Sequence, residues 1–124
     1  MPRRLGRLYQ RKDFLRIAAG RRKAVASGLI LQALPALETA RAGAHAEGRR
    51  VGFTASKKVG NAVARNRAKR RLRAAVSQVM AEHAVSAHDY VVIARQETVD
   101  RAYRSLVQEL ETALKRLGVW RDGA

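Results

Sequence analysis

Between Lys57 and Arg73 the chain carries Lys57, Lys58, Arg65, Arg67, Lys69, Arg70, Arg71 and Arg73, and no carboxylate occurs from Gly48 to Ala81. The chemistry open to such a run is polyanion binding. A solvated helix face normally intersperses Glu or Asp at i,i+4 to relieve like-charge repulsion, and that relief is missing here. At about 100° per residue, Ala64, Ala68, Leu72, Ala75, Val76 and Val79 fall on one stripe, which is the buried face. Asn66, Arg70, Arg73 and Ser77 lie opposite, flanked by Lys69 and Arg67, and that side faces outward towards nucleic acid. Arg65 and Arg71 sit at the apolar margins, where their stems cover core while the guanidinium reaches solvent or phosphate.

Other chemistries lack their residues. His45, His83 and His88 have no carboxylate or histidine partner at ligand spacing, which argues against a zinc site. The glycines are not followed by the Lys-Ser/Thr ending that a phosphate-cradling loop requires. Glu109 and Glu111 project to different faces of a helix, and Asp13 and Asp89 suit caps or turns. No catalytic residue and no metal ligand is expected, so any catalysis belongs to a partner.

The formal net charge is +16, from 26 Lys and Arg against 10 Asp and Glu, and such an excess points to a polyanionic partner. Acidic lipid is the competing partner, but no apolar run approaches the ~20 residues of a spanning helix. Absence of cysteine suits a reducing compartment. The basic N-terminus lacks the apolar core and cleavage site of a secretory signal, so a cytoplasmic location is expected. With 124 residues the chain makes one domain, residues 1–124, with a flexible basic arm at 1–7 and a tail at 118–124.

Around the basic run the spacing predicts a helix from Ala62 to Glu82, with Asn61 as N-cap. A short helix over Arg11 to Ala19 ends at Gly20 in the C′ position, with Phe14, Leu15 and Ala18 on one face; Phe14 there is core before it is ligand platform. The apolar run Ala24 to Leu34 is a strand centred on Leu29 to Ala33, possible to split in two, although a buried helix has the same composition. A variable loop from Pro35 to Gly48 follows. Arg49 to Ser56 alternates Val51, Phe53 and Ala55 against Gly52, Thr54 and Ser56, giving an apolar face and a small, polar one on which an extended chain can lie. Tyr90 to Ala94 is a strand buried on both faces, hence central. A second long helix spans Val99 to Leu117, and Trp120 is a cap on the core rather than a stacking group. The class is α+β, a small sheet with helices packed on it.

Arg65-Asn66-Arg67 followed by Lys69, Arg70 and Arg73, with Val51-Gly52-Phe53 and Ser56 to Val63 before it, resembles the protein subunit of bacterial ribonuclease P. Asp13-Phe14 and Asp89 to Arg95 extend the likeness, which covers Leu8 to Leu117. The resemblance implies a four-stranded sheet, ribosomal protein S5 domain 2-like, with the basic helix in a left-handed βαβ crossover. It further implies that the protein binds the catalytic RNA and the 5′ leader of precursor tRNA. The RNA, with Mg²⁺ that it mainly binds itself, carries out the hydrolysis; no cofactor is held by the protein alone and no protein partner is obligate. By position, Arg65, Asn66, Lys69, Arg70 and Arg73 face the catalytic RNA, with Lys57, Lys58 and Arg67 on the same basic surface. Phe14 and Thr54 map to the leader cleft, with Ser56 beside them. Ala18 and Leu31 or Gln32 stand where some members of the family have aromatics, which weakens base stacking. A ribosomal or general RNA-chaperone protein is the alternative.

Overall fold

The computed structural model describes residues 5–37 and 48–122. The strands are β1 (Leu5–Arg7), β2 (Lys23–Val25), β3 (Leu29–Pro35), β4 (Arg49–Thr54) and β5 (His88–Ala94). The helices are α1 (Arg11–Ala19), α2 (Ala62–His83) and α3 (Tyr103–Arg116), with single 3-10 turns at Lys57–Val59 and Gln96–Val99. The expected loop residues Glu38, Gly43 and Glu47, together with His45 and Met1 to Arg4, lie outside the described residues.

The sheet has five strands in the order β1-β4-β5-β3-β2, not four. β4 pairs with β1 and β5 in parallel, whereas β3 pairs antiparallel with β5 and β2. The extra strand is β1: Leu5–Arg7, expected as part of a flexible arm, is hydrogen-bonded along β4 in register Leu5 to Arg49 through Arg7 to Val51. The run Ala24 to Leu34 does split, at Ala26 to Gly28, into an antiparallel hairpin. β5 is central, as its unbroken apolar run requires.

Strand pairing puts alternate residues on opposite faces. On one face Leu29, Leu31, Ala33, Val51, Tyr90, Val92 and Ala94 pack under Ala68, Leu72, Ala75, Val76, Val79 and Met80 of α2 and Leu110, Ala113 and Leu114 of α3. The stripe foreseen on α2 is this buried face, except that Ala64 is only half-buried and Met80 joins it. Arg49, 1% exposed, donates from Nη1 to the carbonyls of Met80 and Ala81, both at 2.7 Å. A buried cation thus helps to cap the C-terminal end of α2, where Met80 O also accepts from the N–H of Ala84 at 3.2 Å.

The other face carries a smaller cluster of Leu8, Ile17 and Val91, with Phe14, Leu34 and Ile93 against it. α1 lies there through Asp13 and Ile17; Leu15 is 56% exposed, so the expected face of Phe14, Leu15 and Ala18 is rotated. Gly20 is not the left-handed residue. A Cβ on Gly20 would stand 2.6 Å from Leu34 Cδ1, a contact the end of that side chain can relieve, and Gly20 stays helical at φ −69°. The reversal falls one residue later, on Arg21 at φ 57°.

α3 begins at Tyr103 because Gln96–Val99 forms its own 3-10 turn instead of helix. The tail returns to the body through a bridge between Trp120 and Ala84. Trp120 stacks on His83, ring centres 4.0 Å apart, in keeping with a cap.

Candidate nucleic-acid interface

The basic surface begins where β4 ends. Ser56 accepts from the N–H of Lys58 at 3.3 Å, which starts the 3-10 turn, and buried Val59 anchors it. Asn61 then caps α2, its Oδ1 accepting from Ala64 N–H at 2.9 Å. Two successive caps therefore hold Lys57 and Lys58 outward, immediately before the helix. Along α2, Asn66, Arg67 and Arg70 are exposed and Arg65, Lys69 and Arg73 half-buried.

Hydrogen bonds sort these cations. Arg71 donates to the carbonyls of Thr98, Val99 and Arg101, so it holds the Gln96–Val99 turn against α2 and does not reach phosphate, contrary to expectation. Arg67 Nε also donates to Val99 O at 3.0 Å, which ties one side of its guanidinium to the protein. Arg65 Nη1 bonds the carbonyl of Gly60 at 3.1 Å. Among the described residues, the side chains of Lys57, Lys58, Asn66, Lys69, Arg70 and Arg73 have neither ion pair nor hydrogen bond to the protein. Their donors are free for a partner.

The turn pinned by Arg71 also reaches the far side of the sheet. Buried Thr98 donates from Oγ1 to Gly28 O at 2.6 Å and accepts from Arg95 N–H at 2.8 Å. Arg95 Nη1 donates to Ala26 O. The β2–β3 hairpin is thereby fastened, through one 3-10 turn, to the basic helix.

The second surface is the part of the sheet that α1 leaves uncovered. Thr54 pairs with Ile93, Ile93 with Ile30 and Ile30 with Val25, so the four form one row across β4, β5, β3 and β2 on the α1 side. Thr54, Ile93 and Ile30 are half-buried and Val25 is 45% exposed. Phe14 bounds this row. Its ring rests over Gly52, where a Cβ would stand 2.5 Å from Phe14 Cζ. Phe14 is thus core on one side and wall on the other, which reconciles its two expected roles. Ile30, Ile93 and Val25 were not anticipated; their signal is the period-2 alternation that only the pairing register reveals.

α1 is locked over the sheet by charge. Asp89, fully buried, accepts from Arg50 Nε at 2.9 Å and Nη2 at 2.8 Å, and from Arg16 Nη2. Asp13 stands 3.6 Å from Arg16 and 3.9 Å from Arg50. Hydrogen bonding to Asp89 raises the Arg50 guanidinium above its ordinary pKa. Asp13 and Asp89 are neither caps nor turn residues, and the pairing that defines them joins α1, β4 and β5.

A basic helix with free donors beside an open, largely apolar sheet row, in place of the small, polar face expected, is the arrangement of an RNA-binding α+β domain. The ribonuclease P family model matches residues 1–118. The chain is 59% identical over 118 residues to the ribonuclease P protein component of Paramagnetospirillum magneticum, covering 95% of this chain and 86% of that one. It is 43% identical over 116 residues to that of Gluconacetobacter diazotrophicus, covering 94% of each. The structure of the Staphylococcus aureus RNase P protein superimposes with a TM-score of 0.74 at 29% identity, covering 95% of this chain and all of that one. The chain belongs to the bacterial ribonuclease P protein family. It is the protein component of the ribonucleoprotein that processes the 5′ end of precursor tRNA, and associates with its RNA. Among the described residues no helix is long and apolar enough to cross a membrane.

Proposed function

We propose that Lys57, Lys58, Asn66, Lys69, Arg70 and Arg73 hold the catalytic RNA, while the row Thr54, Ile93, Ile30 and Val25, bounded by Phe14 and Ser56, holds the 5′ leader. Arg65 and Arg67 contribute their remaining donors to the same RNA surface. The observation that carries this reading is the unbroken step from the open row to the helix, with Thr54 ending β4 and the free cations of Lys57 and Lys58 following at once. Phosphate contacts position the RNA, and the apolar row takes unstacked bases.

The protein contributes binding and orientation, and the RNA carries out phosphodiester hydrolysis. In this scheme Mg²⁺ belongs with the RNA, whose phosphate oxygens are the hard donors that Mg²⁺ sites use together with retained waters. The fold expectation that goes with it is a left-handed β4–α2–β5 crossover, and the setting is the cytoplasm, with no obligate protein partner.

Reconstitution with the cognate RNA tests the assignment. Lys69→Ala together with Arg70→Ala should lower holoenzyme affinity and flatten its salt dependence by roughly 1.4 to 1.8, since each phosphate contact contributes about 0.7 on a single strand and about 0.9 on a duplex. Ile93→Glu should weaken precursor tRNA relative to leaderless tRNA and leave RNA-subunit binding intact. An equal effect of Ile93→Glu on both substrates would defeat the cleft assignment.

A further inference from the structure

A second basic surface lies at the β2 edge, remote in sequence from α2. The left-handed conformation at Arg21 is unfavourable for a residue with a side chain, yet an arginine occupies it. Arg21, Arg22 and Lys23 are all exposed. Arg22 donates to the carbonyl of Leu117, which fastens the turn to the end of α3, where Lys115 and Arg116 are exposed too. Arg116 shares a cavity of about 150 Å³ with Ala24 and Val25 of β2, so the end of α3 and the strand edge form one surface. Among the described residues none of these five cations forms an ion pair. Lys115 lies over the ring of Trp120, 4.7 Å from its centre.

Register connects this surface to the open row. Lys23 pairs with Gln32 and Gln32 with Val91, so Lys23 stands on the α1 side of the sheet, two residues along β2 from Val25. A strand of RNA lying over Thr54, Ile93, Ile30 and Val25 arrives at the β2 edge beside it. Lys23 and Arg21 are exposed at that edge, with Arg116 across the shared cavity and Arg95, bonded to Ala26 O, on the other side of Val25.

We propose that single-stranded RNA leaving the sheet over β2 continues onto Arg21, Lys23 and Arg116, so that the leader is also held at nucleotides farther from the tRNA than the open row reaches. The proposal rests on the assignment of that row to the leader. The test uses reconstituted holoenzyme and the variant Arg21→Gly, Lys23→Ala, Arg116→Ala, which spares Arg22 and its bond to Leu117. Binding is measured over a salt series for leaderless tRNA and for precursors with leaders of about 4 and about 16 nucleotides, the span of site sizes that one small domain covers on single strands. The wild type should bind the long leader more tightly and with a steeper salt slope than the short one. The variant should lose that difference, its slope falling by roughly 2 at about 0.7 per contact, with short-leader binding unchanged. Arg21→Gly alone should melt no lower than the wild type, because glycine suits a left-handed position, and this separates lost charge from lost fold. A variant that keeps the wild-type slope and long-leader advantage overturns the proposal. So does a wild type in which the long leader adds nothing while the short one still exceeds leaderless tRNA, an outcome that leaves the open row as assigned. If neither leader improves on leaderless tRNA, the assignment of the row falls as well.

Discussion

Replacing Asp89 by Asn keeps the shape of the side chain and removes its charge from beneath two guanidiniums. The carboxylate is fully buried, whereas the side chains of Arg16 and Arg50 are 21% and 25% exposed. Breaking a buried pair costs about 3–5 kcal/mol, chiefly because the surviving charge has no partner. Here both arginines keep some solvent, and Asp13 remains 3.6 and 3.9 Å away, which argues for the lower end, ~3 kcal/mol. That is a large fraction of a total stability of about 5–15 kcal/mol. With a urea dependence of about 1–3 kcal/mol per molar, the unfolding midpoint should drop by about 1–3 M, read from the fluorescence of Trp120 in the RNA-free protein. Buried pairs are screened little by salt, so the loss should persist at high ionic strength. A loss below about 1 kcal/mol that vanishes in salt is the behaviour of an exposed ion pair, and would refute the view that this network clamps α1.

Gly52→Ala places a methyl 2.5 Å from the Phe14 ring; overpacking of this kind costs about 1–3 kcal/mol, and Phe14→Leu in the same chain should recover part of it in a double-mutant cycle. Arg71→Ala should destabilise the protein by about 2 kcal/mol, the worth of its charge-assisted bonds to the 96–101 carbonyls, with RNA affinity changed far less than by Lys69→Ala. Burial pushes the Tyr90 phenol well above its ordinary 10.0. The folded state therefore holds this proton after the unfolded chain has lost it, and the corresponding stability, complete below pH ~10, falls as pH rises further. Tyr90→Phe gives up the bond to Val85 O and about 1 kcal/mol at neutral pH, but urea curves of the two proteins should converge above pH ~10.

α2 was legible almost to the residue because its signals are local: Asn61 at the cap, small residues through the first turns, and an apolar stripe of helical period. α1 was likewise legible in extent. Its rotation was not, since Leu15 and Ile17 are equally apolar and only the sheet beneath decides between them. β1 escaped notice because three residues carry no usable alternation, and its pairing is with a strand more than forty positions away. The helical wheel places Arg71 beside the apolar margin but cannot distinguish a phosphate from the carbonyls of a turn that the chain brings there later. Asp89 is the same case: a lone acid at a strand start, whose meaning lies in Arg50 and Arg16, 39 and 73 residues earlier. Much of the local order was written in local residues, though the reversal at Arg21 and the 3-10 turn at Gln96–Val99 were not foreseen, and the larger misses were partners supplied from afar.

The order of strands has a consequence for how the molecule comes into being. The first part of the chain supplies both outer strands, β1 and β2, while the centre of the sheet is β5, which ends at Ala94. As the polypeptide leaves the ribosome, only the β2–β3 hairpin finds its partner promptly; β1 waits for β4, and α1 waits for Val91 and Asp89. Non-local pairings of this kind must meet the entropy of loop closure before they gain anything. Through that interval α2 has emerged without a sheet to cover its apolar stripe, its cations already exposed. A nascent chain with such a helix is attractive to any nearby RNA, and the gain in refolding rate on adding RNA to urea-diluted protein would measure how far the eventual partner also assists assembly.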